Sequence, residues 1–297
     1  MADALTATGV QWVGSEPWAY DDFTLRHVLW IGGPPGAGKT TIATYLARRY
    51  GVRRYSVDTR TWVHRERALL AQVPAAQRWE SLTPVERWEQ SSLAEMFEMS
   101  LYYERGPMVI DDLRGLPDSP LIIAEGVVLP ASAASTGLAE RSQMVWLLPT
   151  AEFQDAQLSA AETALGPLAG RRSLYRFLRE VAEQEARDHE VPVLTVDGSL
   201  GVSEMVEAVY QLFSSVLTSG PWAKTLEERQ RLLREINQAI LDQIRGYYAQ
   251  SWVDGDPDLL TRSFVCECGN LTCEAEVSRT IQDVLAGPVL ARGHEFR

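Results

Sequence analysis

Apolar runs alternate with stretches of helical spacing along the chain as far as residue 217. Within the runs, apolar residues do not alternate with polar ones, which is typical of strands covered on both faces. The runs span 27–32, 54–57, 121–124, 144–148 and 191–196, and the clearest helical stretches are 39–50, 59–71, 84–104, 173–189 and 202–217. This order predicts an α/β fold, a five-stranded parallel sheet with helices on both faces.

The alternation ends at Ser219-Gly220-Pro221, where glycine and proline interrupt the pattern. We therefore predict one unit over 1–219, with a helical insert at about 60–116, and a C-terminal unit over 224–297. The C-terminal unit is expected to be a helix followed by a short tail that carries all of the cysteines.

An apolar stripe runs along the predicted C-terminal helix, over 224–250. Its members are Leu226, Leu233, Ile236, Ile240 and Ile244. Residues at this spacing lie on one face of a helix. That face is expected to dock on the core of the same chain or on a partner chain, and the second alternative would make the protein a homo-oligomer.

The stretch 27–41 carries the most specific motif of the chain, the G-x-x-x-x-G-K-[ST] pattern of a P-loop, or Walker A motif. It stands between a predicted strand and a predicted helix, which is the context the motif requires. Glycines let backbone N–H groups curl around a phosphate, and the helix N-terminus adds partial positive charge. Lys39 is expected to reach the β- and γ-phosphates, and the Thr40 hydroxyl to hold Mg²⁺. The predicted nucleotide-binding residues of the loop are Gly33, Gly36, Ala37, Gly38, Lys39, Thr40 and Thr41.

Two acidic residues follow predicted strands at the sheet edge where ligands bind in such folds. Asp58 is placed to orient an acceptor hydroxyl and to accept its proton during phosphoryl transfer. The alternative is that Asp58 serves as the N-cap of the helix that follows. Glu125 is expected to contact Mg²⁺ through water or to contact the substrate. The alternative is that Glu125 is an acidic loop residue at the start of a helix, with no role in the site.

Arg171 and Arg172 follow Gly170 in a stretch rich in small residues. Arginines on such a segment can close over the phosphates and stabilise the charge of the transition state. The alternative is a solvated helix face on which each arginine pairs with a glutamate. Asp197, in the turn Asp197-Gly198-Ser199, is expected where the nucleotide base would sit, or else it belongs to an ordinary strand-to-helix turn.

Bulk composition excludes several classes of partner. The net charge is −12, which argues against a nucleic-acid partner because such a partner needs a basic face. No apolar run approaches the roughly 20 residues needed to span a bilayer, and the first residues lack the layout of a signal peptide. We therefore expect no membrane partner and a cytoplasmic location.

The region up to residue 217 resembles the P-loop kinases that phosphorylate small molecules, the group of chloramphenicol phosphotransferase, zeta-toxin, gluconate kinase and shikimate kinase. The resemblance is carried by the P-loop, Asp58 after the second strand, the helical insert and the turn that begins at Asp197. It implies a sheet order 2-3-1-4-5, an acceptor-hydroxyl base at Asp58, and a lid that contains Arg171 and Arg172.

The three cysteines, Cys266, Cys268 and Cys273, form an odd and clustered set, which argues against a disulfide framework. Their segment, followed by a Gly-His pair, resembles a Cys-rich segment at the ends of uncharacterised actinobacterial proteins. Three thiolates and the imidazole of His294 would make a four-coordinate structural Zn²⁺ site. The alternative is a set of reduced thiols packed in a small turn.

Two hypotheses of function follow from these features. The first is a phosphotransferase that uses ATP and Mg²⁺ to phosphorylate a hydroxyl of a small-molecule acceptor, with an acceptor pocket formed by the aromatic residues of the insert. The insert contributes Trp62, Trp79, Trp88, Tyr102 and Tyr103. The second is an ATP-binding regulatory or scaffolding protein whose C-terminal segment binds a protein partner.

Overall fold

A computed structural model describes residues 24–165 and 170–296 of the chain. The first 23 residues of the predicted N-terminal unit and part of the segment before Arg171 lie outside the described residues.

Five strands form a parallel sheet in the order β2-β3-β1-β4-β5. The strands are β1 Val28–Gly32, β2 Arg53–Ser56, β3 Ile122–Gly126, β4 Met144–Pro149 and β5 Val193–Val196. All residues of the central β1 and of its neighbour β3 are buried, as expected for strands covered on both faces. The predicted five-stranded sheet and its order are thus confirmed.

Helices cover both faces of this sheet. The helices of the described residues are α1 Lys39–Tyr50, α2 Thr61–Leu70, α3 Pro74–Ser81, α4 Leu93–Met99, α5 Tyr102–Arg114, α6 Ser132–Ser135, α7 Ala151–Leu165, α8 Arg171–Asp188, α9 Val202–Ser219, α10 Leu226–Tyr248 and α11 Ile281–Ala286. One apolar core joins α1 and α9 to one face, with Leu46 and Phe213 among its buried members. A second core joins α5 and α8 to the other face, with Val109 and Leu178 among its buried members. The layered arrangement turns the carboxyl ends of β1, β2 and β3 toward a common edge, where the P-loop lies.

The insert is more broken than the sequence pattern predicts. The prediction of a continuous helix over 84–104 is wrong, because the structure has a π-helical turn at Glu86–Gln90 and then the separate helices α4 and α5. Ser92 begins α4 through a capping box with Glu95, and serine side chains that bond the backbone in this way favour a new helix start. Leu101 has a φ of 58°, a left-handed conformation that separates α4 from α5.

A partly buried polar network around Asp112 fixes α2 against α5. The Asp112 carboxylate accepts hydrogen bonds from the Tyr55 hydroxyl at 2.8 Å and from Arg60 Nε at 3.2 Å, and His64 Nε2 lies 2.9 Å away. Burial opposes ionisation, but the hydrogen bonds from His64 and Tyr55 prevail and lower the pKa of Asp112 to about 2. The insert is therefore held beside the sheet edge by polar contacts as well as by apolar packing.

Glu185 of α8 is a second, partly buried acid, and it gives a prediction about pH. Its Oε2 accepts the Tyr102 hydroxyl at 2.9 Å, and burial raises its pKa from 4.5 to about 7. The folded state therefore binds more protons than the unfolded state between these values, so stability should fall as pH rises through this window. Glu185→Gln should be more stable than wild type by up to about 3 kcal/mol at about pH 8, and equally stable near pH 4.5.

Urea unfolding at both pH values measures this difference. Glu183→Gln, on the same helix with a half-exposed side chain, is the matched control and should follow the wild type. The raised pKa of Glu185 would be contradicted if Glu183→Gln showed the same gain in the free energy of unfolding at pH 8, or if the gain in Glu185→Gln persisted at pH 4.5.

The C-terminal segment docks on the core of its own chain. Leu233 and Ile236 of the apolar stripe are buried, and Arg53 Nε of β2 lies 2.9 Å from Glu235 Oε2 of α10. Beyond α10, the strands β6 Thr261–Val265 and β7 Glu276–Thr280 form an antiparallel hairpin, which the sequence analysis does not predict. The hairpin and α11 share a small core with α10, in which Leu241, Phe264 and Ile281 are buried. Among the described residues, no helix combines the length and the apolar character needed to cross a bilayer.

Candidate active site

The P-loop links β1 to α1, and its backbone conformation depends on glycine. Gly33, Gly36 and Gly38 have φ values of 130°, 83° and 78°, in the region that residues with a side chain rarely adopt. A Cβ on Gly33 would also lie 2.2 Å from the carbonyl oxygen of Leu147, so the loop is packed against β4. The Lys39 side chain crosses the loop, and its ammonium donates to the Pro34 carbonyl at 2.8 Å. The predicted loop residues therefore form a tight turn at the N-terminus of a twelve-residue helix.

The Thr40 hydroxyl and Glu125 lie together, although they are 85 residues apart in the chain. Thr40 Oγ1 donates to Glu125 Oε2 at 3.1 Å, because β3 pairs with β1 and brings its carboxyl end beside the P-loop. Glu125 is completely buried, and burial raises its pKa while the Arg54 guanidinium opposes the rise. A hydroxyl oxygen and a carboxylate oxygen are the hard ligands that Mg²⁺ prefers, so this pair fits the predicted metal position.

Asp58 lies in a 3₁₀ turn, Val57–Arg60, directly after β2. Gly126 at the end of β3 lets the two strand ends approach, since a Cβ on it would lie 1.9 Å from Val57 Cγ1 and 3.4 Å from Asp58 Oδ1. Neither of the helical segments that begin beside Asp58 is capped by its side chain. Asp58 instead lines the cavity above the P-loop. The structure therefore does not support the capping alternative, and a role as acceptor-hydroxyl base stays a prediction.

The cavity above the P-loop has a volume of about 810 Å³. Its floor contains Lys39 and Thr40, and Asp58 stands at its side. Aromatic side chains from the insert and from the C-terminal segment also line the wall, namely Trp62, Trp79, Trp88, Tyr102, Tyr247 and Trp252. Of the aromatic residues predicted for an acceptor pocket, Tyr103 is the one that does not line the cavity; 53% of its surface is exposed.

The two predicted lid arginines have different surroundings. Arg171 lines the cavity, and its guanidinium carbon lies 5.1 Å from the centre of the Trp88 ring. Arg172 does not line the cavity; it forms an ion pair with Glu162 of α7 and donates to Ser159 Oγ at 3.2 Å. The structure therefore brings Arg171 to the site, while Arg172 adopts the alternative of a paired helix arginine.

Asp197 lies in a turn after β5 and outside the cavity lining. Its Oδ1 accepts the backbone N–H of Ser199 at 2.9 Å and the Ser199 hydroxyl at 2.6 Å. This is the hydrogen-bonding pattern of an Asx turn. The structure supports the ordinary-turn alternative, and a contact of Asp197 with a nucleotide base stays a prediction.

The C-terminal segment contributes cavity residues that the sequence analysis missed. Tyr247 at the end of α10 and Trp252 beyond it line the cavity, and their rings pack on Trp62 at centroid distances of 5.9 and 6.3 Å. Gln243 Nε2 donates to the backbone carbonyl of Asp58 at 3.1 Å. Gln243 and Tyr247 follow Ile236 and Ile240 of the apolar stripe by seven residues, so the stripe marks their side of α10 as an inward face. Nothing in the sequence shows that this face ends at the cavity.

A second polar cluster lies behind the P-loop helix, where the β6–β7 hairpin folds its loop against α1. The ligand atoms of Cys266, Cys268, Cys273 and His294 all lie within 4.8 Å of one another. His294 Nδ1 is 3.3 Å from the Cys266 sulfur and 3.6 Å from the Cys273 sulfur. Zn–S bonds of about 2.3 Å and Zn–N bonds of about 2.1 Å around one centre would give ligand separations of this size. The structure thus assembles the four residues predicted for zinc.

Arg48 connects this cluster to α1. Its Nη2 donates to the carbonyl oxygen of Ala275 at 3.0 Å and lies 3.7 Å from the Cys273 sulfur. The backbone N–H of Ala291 donates to the Cys266 sulfur at 3.3 Å. Donors directed at sulfur are the contacts that stabilise thiolate ligands and orient them around a metal.

No protein-family model matches the chain, and no curated protein sequence matches it. Among solved structures, shikimate kinase from Acinetobacter baumannii in complex with shikimate matches with a TM-score of 0.38 and 19% sequence identity. The match covers 66% of this chain and 96% of that chain. Similarity at this level gives no information about the substrate. This chain has the α/β fold of P-loop NTPases, as is shown by the order of its own sheet, by its P-loop and by the helices that flank the sheet.

Proposed function

We propose that this protein is a phosphotransferase that moves the γ-phosphoryl group of ATP to a hydroxyl of a small molecule. The observation that carries the proposal is that Lys39, Thr40 and Asp58 line one cavity, with Glu125 buried behind it and hydrogen-bonded to Thr40. Binding of a nucleotide alone requires the P-loop, whereas transfer also requires a group that receives the acceptor proton. Asp58 is such a group, and its carboxylate is not engaged in capping a helix.

Each residue then has a defined task. The loop N–H groups and Lys39 hold the phosphates, and Thr40 and Glu125 hold Mg²⁺, which neutralises phosphate charge when it is bound. Asp58 orients the acceptor hydroxyl and takes its proton as the oxygen forms a bond to the γ-phosphorus and the bond to ADP breaks. Arg171, across the cavity, stabilises the charge on the transferring group.

The alternative hypothesis is a regulatory ATP-binding protein that binds a protein partner through the stripe of α10 and the Cys-bearing tail. Leu233 and Ile236 of the stripe are buried, and Ile240 and Ile244 pack on the small core that α10 shares with the hairpin. Tyr247 and Trp252 belong to the cavity wall. These contacts favour a role of the segment in the site over a role as a docking surface.

Mass spectrometry of a small-molecule extract incubated with the protein, ATP and Mg²⁺ tests the proposal. A species heavier by one phosphate should appear with wild type and be absent with Lys39→Ala, because the ammonium at the β- and γ-phosphates is lost. Lys224→Ala is the matched control, since Lys224 is the other lysine of the chain and is exposed. ATP binding without any phosphorylated product would favour the regulatory alternative.

We also infer that Cys266, Cys268, Cys273 and His294 hold a structural Zn²⁺ ion. Support comes from the separations of their ligand atoms and from the donors directed at two of the sulfurs. A closed site with four protein ligands leaves no open position for substrate, which is the arrangement of a structural zinc and not of a catalytic one. The ion would fasten the loop of the β6–β7 hairpin to the segment that carries His294, beside Arg48 of α1.

A further inference from the structure

Two arginines of the insert hold their guanidinium groups against one tryptophan ring. The guanidinium carbons of Arg65 and Arg87 lie 4.1 and 4.5 Å from the centre of the Trp79 ring, and that of Arg87 lies 4.9 Å from the ring of Trp252. We call Arg65, Trp79, Arg87 and Trp252 the arginine–tryptophan cluster. Arg65 and both tryptophans line the cavity above the P-loop, so the cluster forms part of its wall.

Both guanidinium groups are buried, with 6% of Arg65 and 1% of Arg87 exposed. Each has one hydrogen bond to a carbonyl: Arg65 Nη2 donates to Met99 at 2.9 Å, and Arg87 Nε donates to Trp79 at 2.7 Å. Within the part of the chain that the structure describes, neither arginine forms an ion pair. Glu80 is the acid whose charge raises the pKa of both arginines, and its side chain is exposed. Buried arginines are normally paired, because an isolated buried charge is costly.

Several N–H donors of this cluster also lack an acceptor. Within residues 24–165 and 170–296, Arg65 Nε and Nη1, Arg87 Nη1, Trp79 Nε1 and Trp252 Nε1 are buried without a hydrogen-bond partner. Burial, together with the positive charges of Arg105 and Arg87, lowers the pKa of Arg65 to about 9. A buried positive wall with unused donors is complementary to an anion that brings acceptor oxygens.

We propose that the arginine–tryptophan cluster is an oxyanion subsite for the phosphoryl acceptor, so that the acceptor carries a carboxylate or phosphate group besides the hydroxyl that is phosphorylated. The inference rests on the proposed phosphotransferase function. The oxyanion binds Arg65 and the indole N–H groups, and the apolar part of the acceptor lies on the aromatic wall.

The position of the cluster separates this subsite from the one that holds the ATP phosphates. The ATP phosphates are bound by the P-loop and Lys39. Arg65 lies elsewhere, on the insert helix α2, seven residues past Asp58. Three residues of the 3₁₀ turn and four of α2 separate Asp58 from Arg65, which is about 12 Å at about 2.0 and 1.5 Å per residue. A hydroxyl at Asp58 and an oxyanion at Arg65 therefore fit within one small molecule.

Calorimetric titration with small anions tests the subsite directly. The full-length protein is first saturated with ADP and Mg²⁺ to fill the P-loop, and is then titrated with benzoate, phenyl phosphate or the neutral benzamide. Benzoate or phenyl phosphate should bind and benzamide should not, and the tighter of the two anions identifies the preferred oxyanion. Arg65→Gln should weaken anion binding by about tenfold or more, the usual effect of losing a charge-assisted hydrogen bond.

Arg262→Gln, an exposed arginine on β6, is the matched control and should bind the anions as wild type does. Arg65→Lys keeps the charge but loses the two-pronged donor geometry, so it should also weaken binding and serves if Arg65→Gln does not fold. Equal binding of benzamide and benzoate, no binding of either anion, or unchanged binding in the Arg65 variants would overturn the subsite. The titration measures binding and needs no turnover, so it tests the subsite even if the protein has no kinase activity. Phosphoryl transfer to a neutral acceptor would refute the subsite and leave the proposed kinase function intact.

Discussion

Replacing Asp58 with asparagine should lower kcat for phosphoryl transfer by about 10³-fold while leaving the Kd for ATP within about twofold of wild type. Asparagine keeps the size of the side chain but cannot accept the acceptor proton. The Asp58 carboxylate lines the cavity and caps neither neighbouring helix, and the contact of Gln243 is with the Asp58 backbone carbonyl. The substitution should therefore remove chemistry and preserve structure.

Steady-state kinetics with the acceptor identified by mass spectrometry, combined with calorimetric ATP titration, separates the two quantities. Asp254→Asn, in an exposed part of the C-terminal segment, provides the control for a generic loss of negative charge and should leave both values unchanged. A parallel loss of ATP affinity and turnover in Asp58→Asn would assign Asp58 a structural role or a role in nucleotide binding.

The sheet and the P-loop were predictable because both are encoded in short stretches of chain. Apolar runs without alternation mark buried parallel strands wherever they occur, and the loop motif sits directly between the strand and the helix that it connects. The placement of Glu125 beside Thr40 followed from the same logic, since the carboxyl ends of neighbouring parallel strands share one edge.

The wall of the cavity was less predictable because it is built from distant segments. Gln243 reaches Asp58 from 185 residues away, and no local periodicity encodes such a contact. Arg65 and Arg87 were not singled out, because arginines are mostly exposed and a sequence does not show which ones are buried. The β6–β7 hairpin was missed because most of its positions are exposed and give only a weak apolar pattern.

Replacing Cys273 with serine should reduce bound zinc from about one ion per chain to nearly none, and should lower the free energy of unfolding by about 3 kcal/mol or more. Cys273 lies at the junction of the hairpin loop and α1, where Arg48 donates to the backbone carbonyl of Ala275 and approaches the Cys273 sulfur. A zinc-binding loop of this size has little core of its own, so metal–ligand bonds supply much of its stability. Elemental analysis of the purified protein and urea unfolding measure the two effects.

The same change should reach the cavity through α10, which carries Gln243 and Tyr247 and packs on the hairpin. Loss of zinc should therefore raise KM for the acceptor more than Kd for ATP, because the cluster contacts α1 at Arg48 in the last turn of the helix, whereas the P-loop precedes its first turn. His294→Asn should reproduce the zinc loss, whereas His189→Asn, whose ring contacts Ser135 instead, should keep the metal. The outcome that would contradict the zinc site is a wild-type protein that contains no zinc after purification, is no more stable than Cys273→Ser, and has three thiols that all react. The cluster would then be only a packed set of reduced cysteines.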